Sequence, residues 1–411
     1  MTKKVTFVVN EFPVLSETFV IEQVCALIDK GFDVNVLACK KTSDANLTPK
    51  FKQYKLEQKL TYLDTFASGA KGKLQMLSSL VKNFHVIKSK KDFIKALFYS
   101  VKNKNMSSLR QLAICAQYAK TRFDTDFVIC HFLPNGHLAY ALRKFSGLHC
   151  DTIATIAHGY DISLYKVLAK WQYEYSKLVA GTELLLPISE RWADILINKF
   201  CADPGKVKVQ HMGVNINNFN FSPRNISPEN GPIKLIAVGR ATEKKGLEYA
   251  IRAISQTENT HLSIVGGGEL LTELEQLIHQ LKATDKVTLL GPLPHEDVLN
   301  LLAESHVFIL PSVTAKDGDM EGIPVALMEA MASGLLVLST NHSGIPELIE
   351  HKKSGLLADE RSVAQLVHNI NYVTNNAENM GELIVNARNK VEHDFNNNEL
   401  NENLANLIVN S

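Results

Sequence analysis

The sequence predicts an α/β protein made of two doubly wound parallel-sheet domains. Three observations predict it. Short β-branched and aromatic runs are each followed by helical spacing, the order that covers a parallel sheet on both faces. That rhythm runs twice, once on each side of residues 215–232. The stretch between, NINNFNFSPRNISPENGP, is dense in Asn, Pro and Ser, as an interdomain linker should be.

The first series opens with the strand VTFVVN, the helix SETFVIEQVCALIDKG ending at Gly31, and the strand DVNVLAC. Residues 45–122 break the rhythm: they are Lys-rich, with apolar residues at amphipathic-helix spacing, such as Leu74, Leu77, Leu80 and Val81. The rhythm resumes at DFVICHF, TIATIAHG and LLLPIS. Beyond the linker come IKLIAVG, THLSIVGGG, KVTLLG, VFILPS, LLVLST and GLLA. The expected domains are therefore 1–215, carrying a basic helical insert at about 45–122, and 216–390. Residues 391–411 are expected to form a C-terminal helix that packs back toward the first domain.

Composition narrows the class. With 411 residues at roughly 150 per domain, two or three domains are expected. Hydrophobic residues at 45% and charged residues at 21% exclude disorder and collagen-like architectures. No apolar run approaches the roughly 20 residues that span a bilayer, and the N-terminal apolar stretch soon meets Asn10 and Glu11, too short for a signal-peptide core. A cytoplasmic protein is expected. The six cysteines are scattered without a CxxC pair, so neither a disulfide framework nor a zinc site is expected. The net charge of +1 hides an asymmetry: residues 40–122 hold 18 Lys and Arg against 4 Asp and Glu. Such a block is either a solvated face or a footprint for an anionic partner, namely phospholipid, a lipid-linked diphosphate or nucleic acid.

Open α/β sheets bind ligands at the carboxyl ends of their strands. After IKLIAVG, that edge presents Arg240, then Lys245 before a helix, two cations suited to a diphosphate. After VFILPS, an acidic loop carries Glu321 and Gly322, and a helix starts at or near Pro324. The amides of Ile323, Val325 and Ala326 would form an anion site there. Glu329, amid the apolar ALM and AMA, could accept two hydroxyl hydrogen bonds, as a ribose diol or sugar requires. SIVGGGELL places Gly266, Gly267 and Gly268 in a turn that either admits a base or ribose or is merely tight; it lacks GxGxxG spacing. In the first half, AHGYDIS puts His158 at a strand edge, with Asp161 three residues on, in a catalytic or a structural role. EFPVLSETF offers Ser16, Glu17 and Thr18, joined by Asp161, as acceptor-binding residues, or Ser16 and Thr18 as helix caps.

Arg240 and Lys245 in GRATEKKG, followed by Glu321 and Glu329 in EGIPVALME, resemble the family-four retaining glycosyltransferases of the GT-B fold. STNHSGIPELI, HKKSGLLA and HMGVNINNF share the resemblance, while FPVLSETF, AHGYDIS and GDMEGIPVALMEAMASG are similar to its exopolysaccharide subset, typified by colanic acid and amylovoran enzymes. The resemblance implies two Rossmann-like domains facing each other across a cleft. It implies that Arg240 and Lys245 neutralise a donor diphosphate, that Glu329 holds the ribose hydroxyls, and that Glu321 with the following amides orients the transferred sugar. His158 would lie at the reaction centre. It further implies transfer of a hexose from a nucleotide diphosphate sugar (UDP favoured, GDP the other choice) with retention, no cofactor and no metal. The acceptor would be an oligosaccharide or be carried on a polyprenyl diphosphate. Two positions depart from the family pattern: EFPVLSETF replaces the usual glycine pair after the first strand, and Asn215 stands where an Asp is common.

Rival readings are a metal-dependent GT-A transferase, using Asp124/Asp126 or Asp317/Asp319, and a nucleotide-sugar epimerase of GT-B architecture. The first pair precedes its strand, at the edge away from ligands, and the second belongs to the EGIP loop. For residues 40–122 an anionic membrane surface is preferred to nucleic acid, since no nucleic-acid-binding motif accompanies the charge. The expected place is therefore peripheral, at the inner face of a membrane.

Overall fold

The computed structural model describes residues 2–14, 17–42, 49–227, 229 and 231–411. The first half contains β1 (Lys4–Phe12), β2 (Asp33–Lys41), β3 (Leu60–Tyr62), β4 (Phe123–Asp124), β5 (Phe127–His131), β6 (Leu148–His149), β7 (Thr152–Ala157) and β8 (Leu184–Pro187). They form a parallel sheet of order β3-β2-β1-β5-β7-β8, with β4 and β6 paired separately. The second half contains β9 (Ile233–Val238), β10 (Thr260–Val265), β11 (Val287–Gly291), β12 (Val307–Leu310), β13 (Leu336–Thr340) and β14 (Leu356–Ala358). Their order is β11-β10-β9-β12-β13-β14, again all parallel.

Both sheets reverse direction of winding once, between β1 and β5 and between β9 and β12, and such switch points open a crevice beyond the strands' carboxyl ends. The apolar runs make this arrangement necessary. Alternate residues of β1 feed two different cores, Val5, Phe7 and Val9 on one face and Val8 on the other, so helices must cover both faces. The helix Thr18–Asp29 supplies one cover through Val20, Ile21, Val24, Cys25 and Leu27. Four of the six cysteines, Cys25, Cys39, Cys115 and Cys130, are buried as small hydrophobes, and all six are free thiols.

The Lys-rich segment is not wholly an insert. It contributes β3, which pairs with β2, and the helix Met106–Gln117, whose Leu112, Ile114, Cys115 and Ala116 lie in the core. Among its described residues, the helices Gly69–Asn83 and Lys90–Lys102 stand outside the α/β layers with largely exposed faces. At three residues, β3 is too short to show a period within LEQKLTYL.

At its other end the chain crosses back from the second domain to the first. The helix Met380–Asp394 packs on the second domain through Met380, Ile384, Ala387 and Val391. The Val214 N–H donates to the Phe395 carbonyl, and the Asn397 N–H donates to the Val214 carbonyl, both at 2.9 Å. The final helix, Asn397–Val409, then buries Leu404, Ala405 and Ile408 in the first domain's core. The crossing thus falls at Phe395–Asn397 instead of at residue 391. Among the described residues no helix is long and apolar enough to cross a membrane.

Candidate active site

The second domain brings most of the candidate residues to the switch point of β9 and β12. Arg240, two residues past the end of β9, is exposed, and its guanidinium pairs with nothing among the described residues. Its loop is fastened to the glycine turn after β10: the Ala241 N–H donates to the Gly267 carbonyl at 2.8 Å, and a Cβ on Gly266 would lie 2.0 Å from the Gly239 carbonyl oxygen. With φ at +138°, Gly266 therefore seats the Arg240 loop, and its own N–H is spent on the Gly291 carbonyl. The tight-turn reading accounts for this residue.

Lys245 Nζ reaches Glu321 Oε1 at 3.1 Å, and Lys244 Nζ lies 3.1 Å from Asp319 Oδ2 and 3.9 Å from Glu321 Oε1. Burial pushes the Glu321 carboxyl up, but the two ammonium groups outweigh it and hold the group below its usual range. The rest of Glu321 is anchored from beneath. Its N–H donates to Nε2 of the fully buried His342 at 3.1 Å, and His342 Nδ1 lies 2.6 Å from Glu360 Oε1. An Nε2 that accepts leaves the proton on Nδ1, which donates to Glu360. The Glu360 carboxylate also accepts from the Thr314 N–H and hydroxyl.

The helix after this loop spans Val325–Ser333, with Pro324 as its N-cap residue instead of its first helical one. The amides of Ile323, Val325 and Ala326 have no acceptor among the described residues. They are the unsatisfied donors of a helix start, favourable to an anion. Glu329 lies partly buried on this helix, and burial raises its carboxyl to about 7.

In the first domain, His158 follows β7 and is nearly enclosed by Phe19 and Phe132, with ring centroids 5.0 and 4.3 Å away. Its Nε2 is 3.0 Å from Nδ1 of His131 at the end of β5. Burial, and then His131, keep the His158 imidazole well below its usual range and therefore neutral. Asp161 does not face an acceptor. It is fully buried, and its carboxylate accepts from the N–H groups of Leu133, His158 and Gly159, so it braces the loop that carries His158. Glu17 is the N-cap residue of the helix Thr18–Asp29 without a side-chain capping bond, and Thr18 is exposed in its first turn, so Thr18 is not the cap. Burial, with Glu11 adding repulsion, lifts the Glu17 carboxyl to about 7. Ser16 lies outside the described residues. Asn215 stabilises a turn, its side chain accepting from the Asn217 N–H at 3.1 Å.

The two domains meet at these loops. The Tyr165 N–H donates to the Asp317 carbonyl at 3.0 Å, and a Cβ on Gly322 would come within 2.6 Å of Ile188 Cδ1 and 2.9 Å of the His158 carbonyl oxygen. Gly322 is thus demanded by the close approach of the His158 loop. Glu347 spans the same gap lower down, accepting from the Glu190 and Arg191 N–H groups and lying 3.0 Å from His211 Nε2. Sequence reasoning missed His131, His342, Glu347 and Glu360. Asp319 is taken by Lys244 and Asp317 caps its own turn, while Asp126 accepts from the Lys4 N–H at the opposite sheet edge.

Residues 219–390 match the family Glycosyl transferases group 1, a span that includes Arg240, Lys245, Glu321 and Glu329. Over 411 residues the chain is 40% identical to the colanic acid biosynthesis glycosyltransferase WcaL of Escherichia coli, covering 98% of this chain and 99% of that protein. It is 37% identical over 409 residues to the amylovoran biosynthesis glycosyltransferase AmsK of Erwinia amylovora, with coverage of 98% and 99%. The solved structure of Anabaena HepE in complex with UDP aligns with a TM-score of 0.71 at 17% identity, covering 99% of this chain and all of that one.

Proposed function

Because this chain belongs to the group 1 exopolysaccharide glycosyltransferases and has the GT-B fold, we propose that it moves a hexose from a nucleotide diphosphate sugar to a growing glycan with retention. One observation carries the donor assignment: the unpaired Arg240, Lys245 and the open amides of Ile323, Val325 and Ala326 all belong to the switch point of one sheet. UDP is the favoured carrier, supported by the UDP complex of HepE, and a GDP-sugar is the other choice.

In this reading the diphosphate draws Lys245 away from Glu321, and the released carboxylate accepts hydrogen bonds from the transferred sugar. Glu329 holds the ribose diol. The bond from the sugar's anomeric carbon to the phosphate oxygen breaks, and the acceptor oxygen bonds to that carbon on the same face. The acceptor's proton passes to the departing diphosphate. Protein cations and helix amides meet the developing charge, so no metal and no cofactor is needed. His158, neutral and held by His131, offers Nδ1 at the reaction centre. The acceptor is lipid-linked or an oligosaccharide, and the basic segment 40–122 rests on an anionic membrane, placing the enzyme at the membrane's inner face. Vesicle binding that weakens with salt would support that last point.

The test is slow donor hydrolysis across a panel of nucleotide sugars, with the product anomer read by NMR and the assay repeated in EDTA. Hydrolysis of one UDP- or GDP-hexose with retained configuration, unaffected by EDTA, is expected. Inverted product, or activity restored only by manganese, would overturn the reading.

A further inference from the structure

The two helices that stand outside the α/β layers, Gly69–Asn83 and Lys90–Lys102, enclose an apolar groove of about 580 Å³. Met76, Leu77, Val81, Leu97, Val101 and Met106 line it. Several of these are open to solvent, Val81 by 70% and Val101 and Leu77 by 58% and 57%. Contiguous exposed apolar surface of this kind marks an interaction site. Lys73 lines the groove, the exposed Lys82 and Lys102 directly follow its lining residues Val81 and Val101, and none of the three makes an ion pair among the described residues. A solvated charged face would leave no reason for the groove, and an ordinary protein contact would leave no reason for the uncompensated lysines. Apolar walls under a cationic rim are complementary to an anionic amphiphile.

One helix separates the groove from a cavity beside the site. On Met106–Gln117, Met106 and Leu109 face the groove, while Ser107, Arg110, Gln111 and Ile114 line a second cavity of about 270 Å³. That cavity also includes Asn10, Lys40, Asn135, Tyr160 and Trp171, so it lies at the carboxyl edge of the first sheet, beside the loop carrying His158. We propose that the groove holds the hydrocarbon chain of a phosphate-bearing, lipid-linked acceptor, whose glycan crosses this helix into the polar cavity. The proposal rests on the acceptor reading above and gives that acceptor a place and a chemical class.

The test is calorimetric titration of the full chain, saturated with UDP, with farnesyl diphosphate (a monomeric isoprenoid anion) and with inorganic diphosphate. Farnesyl diphosphate is expected to bind at least tenfold more tightly. Leu77→Glu and Val81→Glu, at exposed positions, are expected to weaken it tenfold or more while UDP binding stays unchanged. Equal affinity for the two probes, or no effect of either substitution, overturns the proposal. So does binding to anionic vesicles without binding to the monomeric probe, which makes the face a bilayer-docking surface, or a dimer in solution that Val81→Glu dissolves. Since UDP binding and donor hydrolysis are read separately, failure here leaves the transferase reading standing, and failure there leaves the groove's occupancy measurable.

Discussion

Lys245 Nζ and Glu321 Oε1 are 3.1 Å apart, so the cation assigned to the donor's diphosphate and the carboxylate assigned to its sugar are partners of one another. Each controls the cost of burying the other. Lys245→Ala leaves Glu321 enclosed with only the more distant Lys244, and a loss of roughly 1–3 kcal/mol in folding stability is expected. Because Glu321 titrates below its usual range in the fold, its contribution is present at neutral pH and lost as acid protonates it. The destabilisation should therefore shrink toward low pH and nearly vanish in Lys245→Ala/Glu321→Gln. Urea unfolding across pH checks this. Arg240→Ala is the contrast: its guanidinium has no partner among the described residues, so stability should hold while UDP affinity falls by roughly 1.5–3 kcal/mol.

If Glu329 holds the ribose as proposed, it connects donor binding to proton release. Its carboxyl titrates at about 7 because it is buried, and ribose hydroxyls that donate to it favour the ionised form. UDP affinity is expected to rise as pH increases through about 7, with a proton released on binding below that point. Calorimetry in two buffers of different ionisation enthalpy measures the release. Glu329→Gln should abolish it.

The histidine pair calls for a different readout. His158 is neutral throughout the working range, so no limb of the rate–pH profile near the ordinary histidine value should belong to it. His131→Phe keeps a ring stacked on Phe7, 6.0 Å away, and removes both ring nitrogens, of which only Nδ1 has a side-chain partner, His158. Removing the unpartnered Nε2 relieves one buried orphan while His158 Nε2 loses its partner, so the two effects offset and the net change in stability should be small. Turnover should fall about tenfold, equivalent to about 1.4 kcal/mol of barrier, with the donor KM nearly unchanged. Steady-state kinetics separates the two constants.

Gly322→Ala tests whether the loops must meet. A methyl group there collides with Ile188 and with the His158 carbonyl, both in the other domain. UDP binding, assigned in the proposed reading to the second domain alone, should persist, and sugar transfer should be lost. Loss of both together would place Gly322 in nucleotide binding instead.

Much of this was legible in the sequence because the relevant information is local. β1, β7, β9 and β12 are short apolar runs with helical spacing behind them, and the residues just past β9 and β12 necessarily lie at one sheet edge. What escaped depends on contacts between elements distant in sequence. His342 supports Glu321 from 21 positions away, and His131 meets His158 across 27, pairings that neither period nor composition records. Asp161 was misjudged for the same reason. A carboxylate three residues after a histidine resembles a site residue until the amides of Leu133, His158 and Gly159 are seen to consume it.

A crystal structure of the full chain with UDP tests the central claim most directly. The diphosphate is expected within hydrogen-bonding distance of the Arg240 guanidinium, the Lys245 ammonium and the amides of Val325 and Ala326, with the ribose against Glu329. A nucleotide bound away from these groups, or one whose phosphates are held by a metal ion on Asp317 and Asp319, would contradict it.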